Sequence, residues 1–168
     1  MADNDALLTN QMPHSPQAEQ AVLGSMLIDA DCVKDVMDQL QTQDFYLRTN
    51  RDIFETIYQM FVYSKPIDGV TVAGEMEKNG KSNEQTRSYL VQLMEVTPTS
   101  ANVMEYVRIV QEKSLMRQVA FAAGSITAMV QQGTGSAGDM LEAAEQRIYA
   151  IRRGRRVCPF SPRPESAI

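Results

Sequence analysis

Apolar residues recur along this chain at helical spacing, and no stretch shows the strict alternation of a strand. The first strong signal follows Ser15 and Pro16, a cap and a first-turn residue, with Gln17 and Glu19 behind them; Ala18, Val22, Leu23, Met26 and Leu27 then form one face, predicting a helix that stops near Asp29. After Asp31 the residues Val33, Val36, Met37 and Leu40 sit at i, i+3, i+4 and i+7, predicting a second helix. Asp44-Phe45-Tyr46 reads as a loop. Thr49 to Asp52 has capping-box spacing and opens a third helix through Ile53, Phe54, Ile57, Tyr58 and Phe61, which Pro66 ends after about Tyr63. Thr71 is the expected N-cap of a short fourth helix closing at Asn79-Gly80, and a fifth runs from about Glu84 to Pro98, burying Tyr89, Leu90, Leu93 and Met94.

Residues 100–132 contain no proline and a single glycine, Gly124, so they predict one helix of roughly 50 Å at 1.5 Å per residue. Gly133-Thr134-Gly135-Ser136-Ala137-Gly138 is a turn signal, after which Asp139 to Arg152 resumes helical spacing. The two helices form an αα-hairpin. Its narrow seam consists of Leu115, Val119, Ala122, Ile126 and Met129 on the long arm, and Leu141, Ala144, Ile148 and Ile151 on the short one. That seam serves packing within the chain or pairing between chains, because two helices cannot cover it on all sides. Earlier in the long helix the apolar stripe is Val103, Tyr106, Val107 and Val110; it shifts by one residue at Leu115, roughly 100° around the axis, which marks a change of packing partner. The expected architecture is all-α. It divides into a disordered N-terminus (1–12), a compact helical head (13–98), a projecting helical hairpin (99–152) and an irregular basic, proline-rich tail (153–168).

Composition narrows the chemistry. With 168 residues, 43% of them hydrophobic, the chain can bury a core. No apolar run reaches the length of a membrane span and the first five residues are acidic, so a cytoplasmic location is expected, with no membrane partner. Cys32, Cys158 and the single histidine, His14, match neither a disulfide framework nor a zinc site. Residues 1–151 hold 11 basic and 20 acidic side chains, whereas residues 152–168 hold five arginines and Glu165. An acidic body argues against direct DNA binding; Arg152, Arg153, Arg155 and Arg156 either touch nucleic acid or complement the end of a helix dipole.

Gly80-Lys81-Ser82 has the look of a P-loop ending, but the preceding glycine, Gly74, lies five residues away instead of four and no strand leads into it; a helix C-cap turn is the expectation. His14 is expected at the surface or at a cap. No set of residues defines a catalytic centre, a cofactor site or a metal site.

Several segments, in order, resemble the N-terminal domain of bacterial replicative DNA helicases of the DnaB type. They are Pro13-His14-Ser15-Pro16-Gln17-Ala18-Glu19-Gln20-Ala21-Val22-Leu23-Gly24, Asp44-Phe45-Tyr46, Ile53-Phe54, Pro66-Ile67-Asp68-Gly69-Val70-Thr71-Val72 and Ser88-Tyr89-Leu90. Later come Thr97-Pro98-Thr99-Ser100-Ala101-Asn102-Val103, Tyr106-Val107-Arg108-Ile109-Val110-Gln111-Glu112-Lys113 and Ala144-Glu145-Gln146-Arg147-Ile148-Tyr149. The resemblance implies a helical head and hairpin that build the N-terminal collar of a ring-shaped hexamer in the primosome. It implies partners in other copies of the chain (a dimer, or the collar of a hexamer), in the C-terminal domain of primase, and in helicase subunits or a loader. Tyr89, Ala120 and Ile126 fall where the family contacts primase, although Tyr89 also fits as a plain core aromatic. A RecA-like motor with Walker A would follow in such helicases. No P-loop is present in this sequence, so the expected role is non-catalytic, and the tail after Arg156, with three prolines in nine residues, departs from the family linker. The alternative is a free-standing regulator that binds helicase subunits and modifies ring assembly.

Overall fold

A computed structural model describes residues 12–155, apart from the side chain of Arg155. Apolar residues at helical spacing become helices throughout, and no strand occurs among the described residues. In chain order they are α1 (Pro16–Ile28), a 3-10 turn at Ala30–Cys32, α2 (Val33–Gln39), a second 3-10 turn at Thr42–Asp44, α3 (Arg48–Val62), α4 (Gly69–Lys78), α5 (Glu84–Glu95), α6 (Val103–Gln132) and α7 (Ala137–Arg155). The fold is all-α. All but Met12 of the expected disordered N-terminus and most of the expected basic tail lie outside the described residues.

Two compact units divide between Ser114 and Leu115. The sequence places the head boundary at residue 98, where Pro98 ends α5. The division falls later because the first half of α6 belongs to the head core: Val103, Val107 and Val110 are buried in it. Gln111 Nε2 donates to the Gln39 carbonyl at 2.7 Å, and the buried Ser114 hydroxyl donates to Asp44 Oδ1 at 2.7 Å. The shift of the apolar stripe at Leu115 coincides with this division.

In the head, α1 is the central element and packs on α2, α3 and α5, while α4 bridges α3 and α5. The predicted face of α1 is buried, and so are Glu19, Gly24 and Ser25 on its other sides. Phe45 and Phe54 meet with ring centroids 4.8 Å apart, joining the loop before α3 to α3 itself. Close packing of α1 on α5 depends on Gly24. A Cβ placed there would stand 2.1 Å from Thr97 Oγ1 and 2.5 Å from the Leu93 carbonyl oxygen, and the latter is backbone that cannot step aside cheaply.

Two helix starts differ from their sequence expectation. Asp68, not Thr71, caps α4: its Oδ1 accepts from the Val70 and Thr71 amides at 2.9 and 2.8 Å, while Thr71 Oγ1 accepts from the Asp68 amide at 2.9 Å. Thr71 is the reciprocal member of the capping box, with Gly69 already inside the helix. These bonds, the one from the Thr71 amide first, hold the Asp68 carboxyl below its ordinary range. For α3, the expected box at Thr49 and Asp52 is absent. The helix starts at Arg48 behind Leu47, which has no capping side chain of its own. The group that takes over is a carboxylate from α1.

Gly24→Ala is expected to destabilise the head by about 2 kcal/mol through overpacking. Urea unfolding followed by far-UV circular dichroism measures it.

Candidate functional site

Glu19 is 1% exposed and lies one turn into α1. Its Oε1 accepts from the Tyr46 amide at 2.6 Å, and its Oε2 accepts from the Leu47 amide at 3.4 Å and from Asn50 Nδ2 at 2.7 Å. The carboxylate thus satisfies the chain entering α3, where the helix dipole also favours negative charge. Asn50, itself fully buried, accepts at Oδ1 from the Tyr89 hydroxyl at 2.8 Å. One polar chain therefore joins α1, α3 and α5. Burial, opposed by the hydrogen bonds to Gln20 and Asn50, raises the Tyr89 phenol above its ordinary value, so the hydroxyl stays protonated as a donor at neutral pH.

Tyr89 is half-buried: it packs against the head core, and it also lines a cleft of 750 Å³ between the first turns of α3 and α5. Gln20, Arg48, Asn50, Thr86 and Gln92 share that lining. His14 stands nearby in the fold, its ring stacked on Tyr46 with centroids 4.2 Å apart. The P-loop lookalike is a helix end, as expected: Gly80 takes φ +67°, the Lys81 amide donates to the Met76 carbonyl at 2.9 Å, and Lys81 Nζ pairs with Glu55 at 2.7 Å. Cys32 is buried, and burial together with Asp29, Asp35 and Asp31 pushes its thiol up to about 11, far from a reactive thiolate. Cys158 lies outside the described residues. Among the described residues no group of His, Cys, Asp and Glu is placed to hold a metal ion.

In the hairpin unit, Gly133 and Gly135 adopt φ +64° and +99° in the turn, the left-handed region that favours glycine. Ser136 and Asp139 then cap α7 reciprocally: the Ser136 amide donates to Asp139 Oδ2 at 3.0 Å, and the Asp139 amide donates to Ser136 Oγ at 3.2 Å. Arg147 donates to Ser125 Oγ and joins α7 to α6. The predicted seam separates into two groups. Ala122 is buried, and Leu115, Ile126, Met129, Ala144 and Ile151 are half-buried. Val119, Leu141 and Ile148 remain 47%, 63% and 42% exposed. Ala120 is also exposed. Heptad spacing alone does not reveal that Met116, Phe121, Val130 and Tyr149 add exposed apolar surface to the same unit. Ala144, Ile148, Tyr149 and Arg152 line a groove of 560 Å³ along α7.

The class these features define is an all-α two-unit domain, with a polar tie inside the head and uncovered apolar positions on a helical hairpin. Comparison with known proteins makes the class specific. The family model of the DnaB-like helicase N-terminal domain matches residues 11–112, and the chain belongs to that family. It is 33% identical over 155 residues to the replicative DNA helicase DnaB of Leifsonia xyli subsp. xyli, covering 92% of this chain and 34% of that protein. Against DnaB of Mycobacterium leprae the identity is 33% over 151 residues, covering 86% of this chain and 24% of the relative. The chain thus spans about a quarter to a third of the length of these curated relatives. Among solved structures, the N-terminal domain of DnaB helicase from Mycobacterium tuberculosis is 33% identical, with a TM-score of 0.75 over 84% of this chain and 99% of that one. The same domain from Helicobacter pylori, described with its interactions with primase, shares the fold at 24% identity, with a TM-score of 0.60 over 68% of this chain and 89% of that one.

Glu19→Ala is expected to cost about 3 kcal/mol, because the buried Asn50 amide and the amides entering α3 lose a charged acceptor. Chemical unfolding monitored together with amide exchange at Tyr46 and Leu47 measures it.

Proposed function

We propose that this chain is the collar module of a replicative DNA helicase, acting in the bacterial cytoplasm in subunit assembly and primase docking, with no catalysis of its own. The observation that carries this reading is the set of seam residues left uncovered on the hairpin. Val119, Leu141 and Ile148 lie at positions spaced for helix pairing, yet each is more than two-fifths exposed. Apolar side chains in that register are what a second hairpin would cover. The family membership supports the assembly role, since the relatives are replicative helicases.

Primase docking is supported by the Helicobacter pylori domain of the same fold, whose interactions with primase are described. On this chain the proposed contacts are Ala120 and Ile126 on α6 and Tyr89 at the rim of the α3–α5 cleft. Tyr89 is tied to Asn50 and is therefore presented in a fixed orientation, which lowers the ordering cost of any contact it makes.

Sedimentation over a dilution series tests the assembly role: the chain is expected to self-associate, and Leu141→Glu to weaken that association by about tenfold or more. Calorimetric titration with the C-terminal domain of primase from the same cell tests docking. Saturable binding that Ala120→Arg weakens by about tenfold is expected; a folded chain that binds no primase would remove the docking half of the proposal.

A further inference from the structure

Along α5, Gln85, Ser88, Tyr89 and Gln92 sit at i, i+3, i+4 and i+7, so they share one face over two turns, about 10 Å of helix. All four line the 750 Å³ cleft between the first turns of α3 and α5. No charged residue occupies this face between Gln85 and Gln92. The side chains of Gln85 and Gln92 are exposed and hold no hydrogen-bond partner among the described residues. The wall behind them is fixed. Asn50 is fully buried, its Nδ2 engaged by Glu19 and its Oδ1 by the Tyr89 hydroxyl, which is also hydrogen-bonded to Gln20. Arg48 lines the same cleft at the start of α3, exposed and in no ion pair among the described residues.

This lining favours one kind of occupant. Sites for small organic molecules are mostly apolar with a few polar groups, whereas Leu47 and Tyr89 are the only apolar or aromatic side chains here. Charge disfavours a nucleic acid: residues 1–114 hold nine basic and 17 acidic side chains, and Glu84 shares the lining with Arg48, its single cation. A carboxamide carries both donor and acceptor and pairs with a peptide group, which carries one of each. Only an extended segment has these groups to offer, because a helix uses them internally. At about 3.3 Å per residue, the distance from Gln85 to Gln92 matches about three residues of extended chain.

We propose that the cleft is a docking site for an extended peptide segment of a partner protein, its main chain hydrogen-bonded by Gln85 and Gln92 and an acidic side chain held by Arg48. The guanidinium suits that role because its rigid fork offers parallel donors to a carboxylate. Because Asn50 and Tyr89 are already held in place, little of this chain has to be ordered on binding. The inference goes beyond the primase reading and does not rest on it: Ala120 and Ile126 belong to the hairpin unit, and the cleft lies within the head.

The experiment pans a phage-displayed library of linear dodecapeptides against the full chain. Synthetic copies of the selected peptides are then titrated by fluorescence anisotropy against the native sequence, R48E and Q85A/Q92A, with helicity checked by circular dichroism. The selected peptides are expected to share an acidic residue and to bind each variant about tenfold more weakly. Replacing that acid with lysine is expected to reverse the preference between the native chain and R48E, which a merely structural role of Arg48 would not do. Ala120→Arg is expected to leave peptide binding unchanged. Peptides with no shared acid, or binding indifferent to both variants, overturn the inference, and so does a library that yields no binder. A labelled dT20 oligonucleotide in a parallel titration identifies the competing occupant: oligonucleotide binding that R48E abolishes, with no peptide selected, assigns the cleft to nucleic acid and overturns the inference.

Discussion

The Glu19 carboxylate is the interaction on which the head depends. An ionised group with 1% exposure is costly unless its lone pairs are filled. Here they are filled by the Tyr46 and Leu47 amides and the Asn50 carboxamide, all at or just before the start of α3. α3 has no capping side chain of its own, so α1 supplies one from 27 residues earlier in the sequence. The arrangement makes the start of one helix conditional on the correct docking of another. Tyr89 extends the condition to α5 through Asn50. Three helices are thereby fixed in mutual register by polar contacts that an apolar core alone would leave adjustable.

Around this tie the apolar packing follows from geometry. α1 is buried on nearly every side, which requires a small residue where α5 crosses it, and Gly24 is that residue. The first half of α6 contributes Val103, Val107 and Val110 to the same core. Beyond Ser114 the apolar residues change face, and the hairpin unit keeps Leu141, Ile148, Val119 and Phe121 largely exposed. A small two-helix unit has too little interior to cover them. The head thus has a core of its own, while the hairpin unit leaves apolar positions of its seam uncovered.

Much of this was legible in the sequence because helix periodicity is a local signal. The order of helices, the all-α class, the turn after Gln132 and the stripe shift at Leu115 all follow from spacing and from Gly and Pro placement. The left-handed Gly80 behind Asn79 was equally readable as a helix end, which disposed of the P-loop alternative. What escaped were features set by tertiary contact. Glu19 looked like an ordinary first-turn acid, and its burial against α3 has no local signature. The capping box assigned to Thr49 and Asp52 failed for the same reason, since the true acceptor comes from α1. The reversal of roles between Asp68 and Thr71 was a nearer miss: both residues belong to the box, and only the position of Gly69 inside the helix decides which one leads. The division of seam positions into half-buried and exposed groups could not be read from heptads, which treat all members alike.

The proposed assembly requires a head that is stable by itself and a hairpin that is completed by another copy. Amide hydrogen exchange as a function of protein concentration tests this most directly. Protection at Tyr46, Leu47 and the core of α1 is predicted to stay constant on dilution, while protection along α7 and the second half of α6 falls as the assembly dissociates. Hairpin protection that does not change with concentration would contradict the account, and so would head amides that lose protection together with the hairpin.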